Sequence, residues 1–559
     1  MAFSSTTIQL AVAITIAVVF ALYVRRRRSV LAGLAGPESS HPILGFLTTL
    51  LRGSEAGEVD FALQNKYGGA VRFDSIFGMQ QLWLCDPKAV QYIAQTAGYK
   101  FIRASDRKED SRLTVGDGVA TVEGDDHRRH RRIMLPGFGA KESRTSLCAL
   151  LLSQGKTGKS YRTRGSRQKF NVVQMADKWV QIIQDEENAT IDAPFWISRA
   201  TLDALGEAAL DYQFNALDDM SNELARAFSG LFAKARLNPS NWSIFEEYVV
   251  PLLPLTLVRT WNAYVPSKKR AIQHHCKTIS EDVARQLVQE KSAALLADKG
   301  GHDIMSLLVK ANASAGAKGG MAEDEMLAQL STIIIAGHET TANSICWTLL
   351  ELCRNPDVQT RLRNEIRAVR RERNEPGLTA ATFDAMPYLS AVMKESLRYH
   401  TGLYHIAKEA AQDEVIPLLR PVVGTDGKMI HEIPVQKGQN VILSVAAYNR
   451  DKDVFGQDAH TFNPERWLED GYITKQAFVG VYANLLTFGG GHRACLGWRF
   501  AILELSTFLV ELVDKFEFAI DPEVKILRGA AIIMPPIIEG EEAKGTQLPL
   551  RVRLAPPMD

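Results

Sequence analysis

The stretch "FGGGHRACLG", Phe488 to Gly497, holds one cysteine, Cys495, near the end of a chain of 559 residues. Gly489, Gly490 and Gly491 precede the sulfur, and Gly497 comes two residues after it. Glycine permits tight turns and close approach of backbone to a ligand. Four roles are open for a thiol set in so much bare backbone: a disulfide, a zinc ligand, a nucleophile or a cofactor ligand. The run that begins at the cysteine, "CLGWRFAILELSTFLVELV", has helical character. A thiolate at a helix N-terminus is stabilised by free amides and by the helix dipole. Phe488 is placed to shield the sulfur from water, and Gly497 to let the helix pass beneath a flat ligand.

Composition narrows the choice. The chain has six cysteines, Cys85, Cys148, Cys276, Cys346, Cys353 and Cys495, with no C-x-x-C pair. That is too sparse for a disulfide framework, argues against a Cys-rich zinc site and fits a reducing compartment. A nucleophile would need a base, and His492 is the near candidate. A haem iron takes a single soft, dry, anionic ligand, which this loop offers. A formal net charge of +1 leaves no global field of the kind nucleic-acid binders carry, and 46% hydrophobic residues suffice for a large core. Other motifs fail on spacing. "GKTGKS" has Ser153 where a phosphate loop needs glycine, and "HETTA" has Ala342 where a zinc helix needs its second histidine. "HHC", His274 to Cys276, points three ways on a helix. "HRRHRR", His127 to Arg132, reads as a solvated helix face.

The N-terminus is the next strong signal. Met1 to Val24 has no charged side chain, and Arg25 to Arg28 come directly after it. About 20 apolar residues in a helix span a bilayer core. Positive charges after the apolar run mark an anchor rather than a cleavable signal peptide, and hold the rest of the chain in the cytosol. The expectation is a transmembrane anchor over 1–24, a basic Pro/Gly hinge over 25–45 and one domain over 46–559. The sequons at Asn188, Asn241 and Asn312 would then stay unglycosylated. Within the domain, "AVRFDS" and "QQLWLCD" have strand composition. Residues 160–400 are mostly helical in period, with a long helix from Glu323 to Arg354 stopped near Pro356. "EIPVQKGQNVILSVAAYN" returns to strand character, and residues 153–170 read as a basic surface loop.

Three further motifs stand in order along the chain: "GDDHRRHRR", "AGHETT" and the pair "ESLR" and "FNPERW". With them the cysteine loop resembles the cytochrome P450 superfamily from the hinge to the end of the chain. Phe488, Gly491, Arg493, Cys495 and Gly497 match its haem-binding loop. "KEAAQDEVIPL" and His127 look most like fungal microsomal members. The resemblance implies a mainly α fold with a small β region, preceded by the anchor, and haem as cofactor with Cys495 as the iron ligand. It implies that Ala336 and Gly337 leave room for dioxygen. Thr340 and Glu339 would deliver protons to it. Glu395, Arg398 and Arg466 would form a buried structural triad. His127 stands where the family commonly has tryptophan, four residues before Arg131, and both would hold a haem propionate. Arg493 would do the same. Lys408 stands where an arginine is expected, keeping the charge without the bidentate fork.

The implied activity is monooxygenation of a small lipophilic molecule, terpenoid, steroid or fatty-acid-like, in secondary metabolism or detoxification. Two electrons would come from an NADPH-dependent reductase on the same endoplasmic reticulum membrane. Basic residues of "HRRHRR" would face that reductase. Dioxygen-independent isomerisation or dehydration and a membrane-tethered haem sensor are the alternative functions; the acid–alcohol pair argues against both. By analogy, specificity falls to residues 103–121 and 214–254, the stretch after Arg398, and "AAIIMPP". Leu403, Tyr404, Ile406 and Ile533 would line the pocket.

Overall fold

A computed structural model describes residues 30–140, 142–143, 171–185, 189–297, 303–373, 379–474 and 477–557. The longer helices are α1 (Glu58–Tyr67), α2 (Ser105–Val115), α3 (Gly124–Met134), α4 (Asn171–Asp185), α5 (Ala193–Leu205) and α6 (Leu255–Tyr264). They continue as α7 (Lys268–Leu296), α8 (Ile304–Gly319), α9 (Glu323–Arg354), α10 (Pro356–Arg373), α11 (Pro387–Tyr399) and α12 (Trp498–Lys515). The strands are short: β1 (Ala70–Asp74), β2 (Gln80–Leu84), β3 (Phe101–Arg103), β4 (Thr190–Asp192), β5 (His405–Ala410) and β6 (Glu414–Val423). After them come β7 (Met429–Val435), β8 (Asn440–Ser444), β9 (Phe516–Ala519), β10 (Ile526–Arg528), β11 (Pro536–Ile538) and β12 (Pro549–Leu554). The molecule is mainly helical with small sheets, as the resemblance implies.

The central helix explains where the site falls. α9 opens with Glu323, Asp324 and Glu325, acids that suit the positive end of the helix dipole, and ends before Pro356. Its first half, including Leu330, Ile334 and Ile335, packs into one buried apolar cluster. Its second half, including Ile345, Trp347 and Leu350, packs into another. "AGHETT" lies at the junction, where small residues replace the bulky ones.

The largest sheet has the order β1-β2-β8-β5-β3. β1 and β2, the segments of strand composition, pair antiparallel, with Ala70 opposite Leu84 and Asp74 opposite Gln80. β8 returns from far along the chain to lie parallel to β2, and β5 and β3 add antiparallel strands. In that register Arg103 sits opposite Lys408, so two cations share one end of the sheet.

The charged triad is assembled in the core. Arg398 donates to both oxygens of Glu395, at 2.8 and 2.9 Å. Arg466 Nε lies 3.0 Å from each of the same oxygens. Trp467 Nε1 and the amide of Asn463 donate to that carboxylate as well, at 2.9 and 2.7 Å. Asp458, not foreseen from the sequence, takes the far side of Arg466 at 2.8 Å.

The hinge expected over 25–45 is corrected from Val30 onward. Leu31, Leu34 and Leu44 are buried in the main core, and Leu34 bridges to Gly424. A linker that buries its leucines is part of the body. The anchor expected over 1–24 and the basic loop over 153–170 lie outside the described residues. Among the described residues no helix is long and apolar enough to cross a membrane.

Candidate active site

A cavity of about 980 Å³ lies between α9, the cysteine loop and the β5 end of the sheet. Ala336, Gly337, Thr340 and Thr341 form the α9 wall. These positions share a face because a helix turns about 100° per residue. Gly337 must be small for packing too, since a Cβ there would fall 2.7 Å from Leu205 of α5. Thr340 Oγ1 donates to Ala336 O at 2.8 Å.

Cys495 and Phe488 line the opposite wall. The Cys495 amide donates to Phe488 O at 2.8 Å and closes the loop. Gly491 has φ +61°, and a Cβ on it would fall 2.0 Å from Ala94 O. Both facts demand glycine. The sulfur's exposed surface faces the cavity. Burial pushes the thiol up, while the Gly497 amide, the Arg131 guanidinium and the Trp498 amide pull toward the thiolate. Gly497 also lines the cavity, and a Cβ on it would meet nothing nearer than Phe138 at 3.7 Å. The protein itself leaves that floor bare.

His127, Arg131, Lys408 and Arg493 converge on one edge of the cavity, as the resemblance implies, and Arg103 joins them. Arg131 donates to Ala494 O at 2.8 Å. Arg493 donates to Val122 O at 3.0 Å and pairs with Glu123. Burial lowers all four cations. Lys408 falls to about 8 and Arg103 to about 10, each lowered further by Arg493. Arg131 and Arg493 are lowered as well. Glu123 is the carboxylate acting on Arg103, Lys408 and Arg493. A buried cluster this short of negative charge fits a ligand that brings carboxylates. Haem brings two, with a flat ring for the bare floor and an iron for the sulfur. The residues present therefore fit haem. Burial, Arg493, Arg131 and Lys408 together lower His127 to about 3, so its imidazole is neutral.

Two expected residues fall outside the cavity lining. Glu339 does not reach the cavity. Its position turns it to the back of α9, where burial pushes it up to about 8 against the pull of Lys234 and the amides of Gly230 and Leu231. Ile533 bridges to Leu403 and does not line the cavity; Ile532, its neighbour, does, with Leu403, Tyr404 and Ile406. In α3, Arg128 pairs with Asp125 and Arg129 with Glu325 and Asp126, and Arg132 is exposed. Among the described residues "HHC" makes no metal cluster, and Cys276 is buried.

An ionic network also lines the cavity. Arg236 pairs with Asp110 and, at 2.6 Å, with Glu247. Lys269 reaches Asp110 at 2.6 Å and Glu247 at 3.2 Å, and Arg107 reaches Glu247 at 2.8 Å. These residues lie on α2, the short helices Leu231–Arg236 and Asn241–Val249, and α7. The sequence offers the segments but not the pairing.

Comparison with known proteins agrees with the site. The family description "Cytochrome P450" matches residues 160–536. Cytochrome P450 monooxygenase 91 of Postia placenta is 32% identical over 508 residues, 88% of each chain. Cytochrome P450 monooxygenase 128 of the same fungus is 31% identical, covering 94% of this chain and 93% of its own. A ganoderic acid synthetase of Ganoderma lucidum is 30% identical over 91% of each chain. A cysteine-floored cavity edged with cations, and a match over more than half of the sequence, lead to one conclusion: the chain belongs to the cytochrome P450 monooxygenase family, which uses haem.

Proposed function

We propose that this chain is a membrane-anchored monooxygenase of fungal secondary metabolism that oxidises an apolar, terpenoid-like molecule. The carrying observation is the cavity of about 980 Å³, floored by Cys495 and walled by Ala336, Gly337 and Thr340. Haem bound there supplies oxygen activation, in which one oxygen atom enters a C–H bond and the other leaves as water. Cys495 would hold the iron, and Arg103, His127, Arg131, Lys408 and Arg493 the carboxylates. The apolar walls at Leu403, Ile406 and Ile532 bind substrate and exclude water. Thr340 holds a hydroxyl at the reacting face, and Glu339, protonated at neutral pH, stands one residue behind it as the proton store.

Electrons would come from an NADPH-dependent reductase, the general arrangement in this family. The uncharged run to Val24 and the arginines after it support an anchor in the endoplasmic reticulum with the domain in the cytosol. Exposed apolar side chains over one stretch, Trp242, Leu252, Leu255, Leu257 and Tyr264, support membrane contact by the body as well. The relative named for ganoderic acid supports secondary metabolism.

The test is the carbon monoxide difference spectrum of the reduced protein beside Cys495→Ser. The expected result is a strongly red-shifted Soret band that the variant loses. A band kept by the variant, or histidine-type ligation in the wild type, overturns the assignment. Substrate-dependent consumption of NADPH and oxygen with a reductase then separates oxygenation from rearrangement and from sensing.

A further inference from the structure

The histidine that stands in the tryptophan position raises a problem of chemistry. An indole has one N–H and no choice of where to carry it. A neutral imidazole has two nitrogens and one proton, and only the tautomer with the proton facing the cavity can donate to a carboxylate. Something must make that choice.

His127 is buried, with 2% of its surface exposed. Its Nδ1 lies 2.8 Å from the hydroxyl of Tyr99. Among the described residues that is the hydroxyl's one hydrogen bond, and no protein group bonds His127 Nε2. Tyr99 is itself clamped. Its ring stacks on His492 of the cysteine loop, with centroids 5.1 Å apart and planes 21° apart. The Arg128 guanidinium lies 4.3 Å from the ring centroid. Gly98 makes the stack possible, because a Cβ there would fall 2.5 Å from the His492 ring. A phenol that accepted from Nδ1 would leave its own proton without a protein partner and a bare Nε2 lone pair turned toward any incoming anion. A phenol that donates to Nδ1 satisfies both groups and leaves Nε2–H free, on a residue that lines the cavity with Arg131, Arg493 and Lys408.

We propose that Tyr99 is a positioning residue: it fixes His127 as an Nε2–H donor to a haem carboxylate, so that Tyr99 and His127 together replace one tryptophan. The inference rests on the haem reading of the site. It also ties the cysteine loop, through His492, to the carboxylate cradle.

The experiment is a double-mutant cycle on the full-length holoprotein, with Tyr99→Phe made in the wild type and in His127→Trp. Two readouts are taken: the rate of haem transfer to apomyoglobin and the propionate-bending band in resonance Raman spectra. Phenylalanine keeps the ring stack and removes the hydroxyl alone. In the wild type, Tyr99→Phe is expected to speed haem loss about fivefold, the worth of one hydrogen bond, and to shift the propionate band. In His127→Trp the same change is expected to do neither, because indole needs no tautomer lock. Equal effects in both backgrounds, or none in either, overturn the proposal. Should His127→Trp take up no haem, the Raman band of Tyr99→Phe decides: a shifted band supports the lock and an unshifted one overturns it. A wild type without thiolate-ligated haem instead sinks the underlying reading, and this inference with it.

Discussion

At the scale of residues, the cavity separates groups by a single step along α9. Thr340 faces the cavity and Glu339 faces away from it, held against the amides of Gly230 and Leu231. Thr340→Ala removes the hydroxyl and leaves binding surfaces intact. Product formed per NADPH is expected to fall about tenfold or more, with peroxide released in its place, while NADPH consumption continues. Unchanged yield per NADPH would remove Thr340 from proton delivery. Glu339 gives a pH prediction with a definite sign. Its folded pKa of about 8 stands above the ordinary 4.5. Between those values the unfolded chain has lost a proton that the folded chain keeps, so stability falls as pH rises, by about 1.4 kcal/mol per unit for this group. Glu339→Gln removes that term. Urea midpoints at pH 5, 6, 7 and 8 should fall less steeply in the variant; parallel curves would show an ordinary carboxyl.

Much of this scale is readable in the sequence. Cys495, Arg131, Arg493, Lys408 and His127, singled out by loop spacing and resemblance, line one cavity. The misses share a cause. Tyr99 finds its partners 28 and 393 residues away, and Arg103 finds Lys408 through a strand register that joins distant segments. Local pattern carries no trace of such pairings. Within "AGHETT", Thr340 and Glu339 face different ways, because a helix turns adjacent residues to different sides.

At the scale of elements, α11 shows how charge is used inside the core. Glu395 takes five donors from Arg398, Arg466, Trp467 and Asn463, two of them the two arms of one arginine. Burial pushes its carboxyl up, but Arg398 and Arg466 hold it below the ordinary value, so it stays ionised. Glu395→Gln would leave two buried guanidinium groups without their shared anion. A loss of about 3–5 kcal/mol is expected in chemical denaturation, with haem uptake falling in proportion to folded protein. A loss under about 1 kcal/mol would mean that Asp458 alone neutralises the pair. The bounds of α9 are set by its acidic start and by Pro356. The triad is legible as spacing, whereas Asp458 is not, since nothing in "FNPERW" points back eight residues to an acid.

At the scale of the whole molecule, the ionic network joins the elements that cover the cavity. Burial pushes Asp110 and Glu247 up, yet Arg236 and Lys269 hold both well below the usual carboxylate range. Their contribution is present above the ordinary carboxyl pKa and is lost as pH falls through the depressed values. Glu247→Gln removes a partner from Arg107, Arg236 and Lys269 together. Stability is expected to drop by about 2 kcal/mol. Hydrogen exchange should quicken over residues 231–249 more than over α12. Uniform exchange changes would show that the network does not fasten this cover in particular.

The burial of Leu31 and Leu34 bears on the proposed membrane anchor. If the bilayer run ends at Val24, six residues separate it from the first leucine built into the body. Fully drawn out they reach about 20 Å, less than the width of the folded domain. The anchor proposed above would then moor the molecule on a short leash, not trail it on a long one. So anchored, it would turn one side toward the lipid surface more than the others, and solutes dissolved there would meet it first.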